Sequence, residues 1–225
     1  MISTYFVHQE SLDNLDGNCN DIDVNILLNE SRGDCWYLNS HPNANWVWRD
    51  DIFDTSELLR LKRMGDLMNV MRAGTGSHGT DCLDHRRSMI SWVNINSETE
   101  WIYRKMTDAV NQVNAAWFKY DLTDIGRLQY TRYYSNESGF YKSHIDPIGS
   151  SDPFDRKLSF VVQLSNSWDY EGGDLLLHQG HEPVCIPREL GYTVFFPSHT
   201  LHEVTPVTYG VRQTLVGWVN GPKLR

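Results

Sequence analysis

Tyr141-Lys-Ser-His-Ile-Asp-Pro147 sets His144 and Asp146 two residues apart. On an extended strand, residues i and i+2 project to the same side, so both side chains can reach one point if this segment is a strand. His202, in Leu201-His-Glu-Val-Thr-Pro206, follows 58 residues later, and Arg212 stands ten beyond that. Two imidazoles and one carboxylate form the donor set that holds one face of a ferrous ion and leaves its other positions open for a co-substrate and O2. For His202 to complete the set, a second strand must be folded alongside the first. The stretch therefore predicts a β-fold in which distant strands converge on a metal.

The surrounding sequence supports this. From residue 127 onward, short β-rich runs follow one another: Leu128–Tyr134, Tyr141–Asp146, Leu158–Leu164, Asp174–His178, Val184–Ile186, Tyr192–Phe196, Leu201–Thr205 and Val211–Val219. Turn signals separate them, among them Pro147, Gly172-Gly173, Gly180, Gly191, Pro197 and Gly210. Eight short strands at this spacing predict a double-sheet jelly roll, the cupin-like double-stranded β-helix.

Upstream, Phe53–Met68 reads as a helix. Asp54 and Glu57 are placed as a capping box, and Leu58, Leu61, Met64 or Gly65, and Met68 recur at helical spacing. Ala73–Thr80 is a glycine-rich connection without a phosphate-binding signature. Arg87–Val93 reads as a strand. Ser97-Glu-Thr-Glu100 is a second candidate capping box, opening a helix with Ile102, Met106, Ala109, Val113 and Trp117 on one face. The expected class is α+β: an irregular arm over 1–50, supporting helices and a first strand over 51–126, and a jelly-roll core over 127–225, acting as one functional domain. The arm carries Trp36, Tyr37, Trp46 and Trp48, too aromatic for disorder.

Composition narrows the function classes. The 225 residues suffice for one sizeable core, and no run reaches the ~20 apolar residues of a membrane span. The N-terminal residues lack a basic segment followed by a long apolar one, so no secretory signal is expected. A net charge of −9 argues against nucleic acid as the main partner. Cys19, Cys35, Cys82 and Cys185 form no CxxC pair, which points to free thiols in a reducing cytoplasm, where ferrous iron also persists.

Each element of the constellation has a bland alternative. A lone His-x-Asp or a lone His202 is common in ordinary strands, and Arg212 could make a structural ion pair. The three gain weight because they fall in order on expected strands. Arginine suits a buried carboxylate, since its planar fork stays charged and bonds through two nitrogens. His199 is the second choice for the distal ligand. His178 and His181 are placed by a turn and expected to be solvated, and His8, His41, His78 and His85 have no carboxylate at ligand spacing.

The sequence also carries a family resemblance. Tyr133-Tyr-Ser-Asn-Glu-Ser-Gly-Phe-Tyr-Lys-Ser-His-Ile-Asp146, Leu158–Ser165, Tyr170-Glu-Gly-Gly-Asp-Leu175, Phe195-Phe-Pro-Ser198 and His202–Val207, with Arg212 and Trp218, resemble the prolyl hydroxylase-like Fe(II)/2-oxoglutarate oxygenases, closest to the bacterial and phage PKHD-type branch. The likeness spans residues 86–220 and leaves 1–50 uncovered.

The resemblance implies Fe(II) on His144, Asp146 and His202, 2-oxoglutarate as co-substrate with its C5 carboxylate on Arg212, O2 as oxidant, and ascorbate as a possible reductant. It places Tyr134 beside the 2-oxoglutarate pocket and Gln163 where relatives carry a tyrosine that bonds the same carboxylate. Leu175, Val204 and Trp218 line the apolar wall, with plain core as the alternative. The implied reaction is hydroxylation of an unactivated C–H, yielding succinate and CO2. Peptidyl proline is the first substrate expectation, and a free amino acid or small metabolite the second. Nucleic-acid dealkylases carry a second arginine six residues after the first, where this chain has Trp218. A jelly-roll binding module without catalysis is the rival from another class. Residues 147–156, with Asp152 and Asp155, form a loop that could meet substrate; the sequence leaves this open, along with the oligomeric state.

Overall fold

The computed structural model describes residues 45–74, 83–146 and 154–223. Most of the arm, Cys19, Cys35, Cys82, His8, His41, His78, the greater part of the glycine-rich connection and residues 147–153 lie outside these.

The elements in chain order are β1 (Val47–Arg49), α1 (Thr55–Leu67), β2 (Met71–Arg72), β3 (Arg86–Arg87), β4 (Met89–Val93), α2 (Glu100–Val113), β5 (Asp124–Ile125), β6 (Leu128–Tyr134), β7 (Phe140–His144), β8 (Phe154–Gln163), β9 (Tyr170–Gly172), β10 (Leu175–His178), β11 (Val184–Cys185), β12 (Thr193–Pro197), β13 (Leu201–Val204) and β14 (Val207–Pro222). They build two antiparallel sheets. The larger runs β1-β12-β8-β14-β6-β4-β2, with β5 and β9 also on β14, and the smaller runs β11-β10-β13-β7-β3. This is the mixed helix and antiparallel-sheet architecture expected of the jelly roll. Among the described residues no helix is long and apolar enough to cross a membrane.

Strand alternation divides the large sheet into two faces. On β14, Leu215 and Val219 join Leu128, Tyr130, Leu158, Phe160 and Val162 in one core, against Leu61 of α1 and Ile102, Met106, Ala109 and Val113 of α2. The second core lies between the sheets, where Tyr133, Val161, Val194 and Phe196 meet Leu175, Leu177 and Val204. The helices thus back one face of the sheet and leave the other to the site.

Local chemistry explains the helix ends. The Asp54 carboxylate accepts from the Glu57 amide at 2.9 Å, and Glu57 accepts from the Asp54 amide at 2.9 Å, the reciprocal cap expected. The second box does not form. Thr99 is the N-cap of α2 but its hydroxyl makes no capping bond, donating instead to the Asn94 carbonyl, while the Asn96 side chain accepts from the Glu98 and Thr99 amides. The arm is also less irregular than expected where it is described: Val47–Arg49 pairs with β12, and Trp48 stacks on Tyr192 with centroids 4.3 Å apart.

Candidate metal and co-substrate site

His144 closes β7 and faces His202 directly across the β7–β13 ladder. Asp146 lies two residues beyond the end of β7, where its amide donates to the Ser198 carbonyl at 3.0 Å. One ligand atom from each of His144, Asp146 and His202 falls within 4.8 Å of the others, and this is the one such cluster among the described residues.

Both imidazoles are oriented by backbone. Nδ1 of His144 lies 2.8 Å from the Lys142 carbonyl, and Nδ1 of His202 lies 2.8 Å from the Thr200 carbonyl. A carbonyl only accepts, so each Nδ1 carries a proton, which in the neutral ring leaves the lone pair on Nε2. Burial, followed by repulsion from His202, holds the His144 imidazole well below its ordinary pKa and so favours the neutral ring, the form a metal requires. The Asp146 carboxylate is buried and accepts from the Ser159 hydroxyl at 2.5 Å, which in turn lies 2.9 Å from the Ser198 hydroxyl. Its other oxygen is 3.7 Å from Arg156.

Arg212 is 1% exposed, and its Nε and Nη2 have no hydrogen-bond partner among the described residues. It projects from β14 onto the inter-sheet face, directly opposite Tyr133 and 5.6 Å from that ring. An unpaired buried guanidinium is costly unless an anion joins it. Beside it on the same face are further unpartnered polar atoms, Oγ1 of Thr214 and Oε1 of Gln163, facing each other across β14 and β8. A cationic end with unpaired polar groups, leading to a His-Asp-His cluster, fits a dicarboxylate that spans from a metal to Arg212.

Gln163 and Arg212 therefore share this face, with Leu175 and Val204 paired on the smaller sheet and buried in the same core. Trp218 lies next to the metal cluster, opposite Ser159. Tyr134 does not join them. It pairs with Val211 on the other face and lines an open groove with Lys62, Asp66 and Gln213. Its neighbour Tyr133 occupies the inner position, because adjacent strand residues point to opposite faces. His199 is exposed in the β12–β13 turn. His181 is solvated, whereas His178 is half-buried, with its Nε2 buried 3.4 Å from Glu203. Sequence reasoning missed Arg156. Strand phase from Ser159 would turn Lys157 inward, but a register shift where β8 meets β14 between Val219 and Asn220 puts Arg156 opposite Asn220 instead.

The sequence model of the 2OG-Fe(II) oxygenase superfamily matches residues 128–220. A PKHD-type hydroxylase of Gloeothece citriformis is 36% identical over 96 residues, covering 42% of this chain and 43% of that one. The chain thus spans well under half the length of the curated relatives it matches. A prolyl-4-hydroxylase of Pseudomonas putida superposes with a TM-score of 0.65 at 20% identity, covering 80% of this chain and 94% of that one. A Trichoplax adhaerens prolyl hydroxylase, in complex with a hypoxia inducible factor peptide fragment, superposes at 0.62 with 19% identity over 78% of this chain and 83% of that one. At such identities the structures establish the fold. Over residues 128–220, the jelly-roll part of this chain, the sequence is similar to the 2OG-Fe(II) oxygenase superfamily.

Proposed function

We propose that the protein is an Fe(II)- and 2-oxoglutarate-dependent dioxygenase that hydroxylates an unactivated C–H, with peptidyl proline as the prime substrate. The observation that carries the reading is the buried, unpaired Arg212 on the same inter-sheet face as His144, Asp146 and His202. Bound iron would supply O2 activation, coupled to conversion of 2-oxoglutarate to succinate and CO2, with one oxygen atom passing to substrate.

The chain's own residues do the rest. Nε2 of His144, Nε2 of His202 and the Asp146 carboxylate would hold the ion, while Ser159 fixes the carboxylate. Arg212 anchors the far carboxylate of the co-substrate, Thr214 and Gln163 flank it, and Leu175 and Val204 keep water from its chain. Trp218 and Arg156 border the cluster on the remaining side and would receive the prime substrate. The peptide choice is supported by the PKHD-type and prolyl hydroxylase relatives, one of them bound to a peptide. Ascorbate would serve as reductant, and a reducing cytoplasm suits the ferrous ion and the free thiol of Cys185. Residues 51–126 act as support for a catalytic core over 127–225.

Anaerobic titration with Fe(II) and then 2-oxoglutarate tests the reading, with a visible metal-to-ligand charge-transfer band as the expected result. His144→Ala should remove the band and all succinate formation, and full turnover in that variant would sink the assignment. A screen of proline peptides against free amino acids, read by succinate release and a mass gain of one oxygen, then identifies the substrate class.

A further inference from the structure

A column of stacked side chains runs from the corner of the fold into the metal cluster, and its far end is Arg86. The guanidinium carbon of Arg86 lies 4.5 Å from the centroid of the Tyr141 ring. The Tyr141 ring stacks on the His144 imidazole with centroids 3.5 Å apart and planes 19° apart. His144 in turn lies 4.2 Å from His202. Arg86 sits directly opposite Tyr141 in the β3–β7 ladder, where the chain leaves the smaller sheet at β3 and enters the larger one at β4.

The guanidinium is held in plane by two bonds. Nε donates to the Ser88 hydroxyl at 2.8 Å, and Nη2 donates to the Gln129 side-chain carbonyl at 2.9 Å. Arg86 is buried, yet among the described residues both of its acceptors are neutral. A buried guanidinium without a carboxylate is costly, and a buried apolar side chain would fill the same space without that cost. What the arginine supplies is a flat, cationic face aimed at an aromatic ring.

The two imidazoles differ in how they are supported. His202 lies on the interior strand β13, flanked by β10 and β7, with Phe196 4.9 Å away edge-on. His144 closes β7, which has only the two-residue β3 on its outer side. Its ring is steered by one hydrogen bond from Nδ1, which leaves rotation about that bond to be stopped by packing. The Tyr141 ring does the packing, and Arg86 lies against Tyr141.

We propose that Arg86 is a positioning residue of the metal site, fixing the His144 imidazole through the Tyr141 ring. This rests on the reading of His144 as a metal ligand. The test uses the full chain loaded with Co(II), whose visible spectrum reports ligand geometry and whose affinity needs no substrate. Arg86→Met and Tyr141→Ala should each weaken Co(II) binding about tenfold, the range found for partners that orient metal ligands, and should change the visible bands in the same way. The double variant should be no weaker than Tyr141→Ala alone, because both act through one contact. Arg86→Lys keeps the charge but not the planar fork, should fall between wild type and Arg86→Met, and carries the same cycle if Arg86→Met does not fold. Wild-type affinity and spectrum in the Arg86 variant, or losses that multiply in the double variant, would overturn the proposal. His144→Ala separates the two claims: retained Co(II) binding there overturns the metal-ligand reading itself.

Discussion

The guanidinium of Arg156 lies face-on to the Trp218 indole, its central carbon 4.0 Å from the ring centroid, and within 3.7 Å of the Asp146 carboxylate. A cation stacked on an aromatic face beside a metal-facing carboxylate leaves donor N–H groups at the border of the metal cluster. Those donors suit a peptide carbonyl of an incoming substrate. Arg156→Met should therefore raise KM for the prime substrate about tenfold, equivalent to ~1.4 kcal/mol, with kcat within a few-fold. The charge-transfer band with Fe(II) and 2-oxoglutarate should persist, since Arg212 and the triad are untouched. Loss of that band in the variant would assign Arg156 to the metal or co-substrate instead.

Arg212 separates stability from function. Its Nε and Nη2 are buried without a partner, so the free protein bears the cost of an uncompensated cation. Arg212→Met removes the charge and keeps most of the volume. In thermal melts without ligand, the variant should be as stable as the wild type or more so. Adding 2-oxoglutarate at 100 times Kd to the metal-loaded protein should stabilise the wild type by about 2.7 kcal/mol, a rise in Tm of roughly 5–10 °C, and should leave the metal-loaded variant unmoved. A variant that melts lower when free, yet keeps the ligand shift, would show that Arg212 has a structural partner instead.

Ser159 would act on a bound metal through Asp146. Its hydroxyl is the one side-chain donor hydrogen-bonded to that carboxylate among the described residues, and it is itself tied to Ser198. Ser159→Ala leaves one carboxylate oxygen without its bond, so Asp146 can rotate. Fe(II) affinity, measured by anaerobic titration, should fall by about 10–100-fold. Ser198→Ala should have a smaller effect, because it orients Ser159 rather than the ligand. Equal losses from both would point to general loosening of the loop after β12.

The convergence of His144, Asp146 and His202 was legible in the sequence, because their spacing carries the chemistry and the strands around them alternate cleanly. His144 and His202 were expected on separate strands and stand opposite each other. Tyr134 was misplaced by one residue, which on a strand is a whole face. Arg156 and Tyr141 were hidden by irregularities. The β7–β13 ladder slips between His202 and Val204, so that Tyr141 and His144, three apart, contact each other. A bulge on β8 does the same for Arg156 and Ser159, which both reach Asp146. Period-two reading has no sign of where such a slip falls. The failed cap at Ser97 has a similar cause, since Asn96 competes for the same amides.

Two glycines on opposite faces of the large sheet give a matched test of how the layers divide stability and chemistry. A Cβ on Gly65 of α1 would meet the Tyr130 ring at 2.1 Å, in the core between helix and sheet. A Cβ on Gly173 would meet Val207 at 2.8 Å and Cδ of Arg212 at 3.0 Å, between the two sheets. Gly173 also has φ +64°, which disfavours any side chain. Both substitutions to alanine should destabilise by about 1–3 kcal/mol, the first by overpacking and the second by strain and contact. Only Gly173→Ala presses on the arginine that would hold the co-substrate. Its KM for 2-oxoglutarate, read from succinate release, should rise several-fold, while Gly65→Ala should melt lower at unchanged KM. Equal rises in KM would mean that the helix-backed core and the inter-sheet site are not separable.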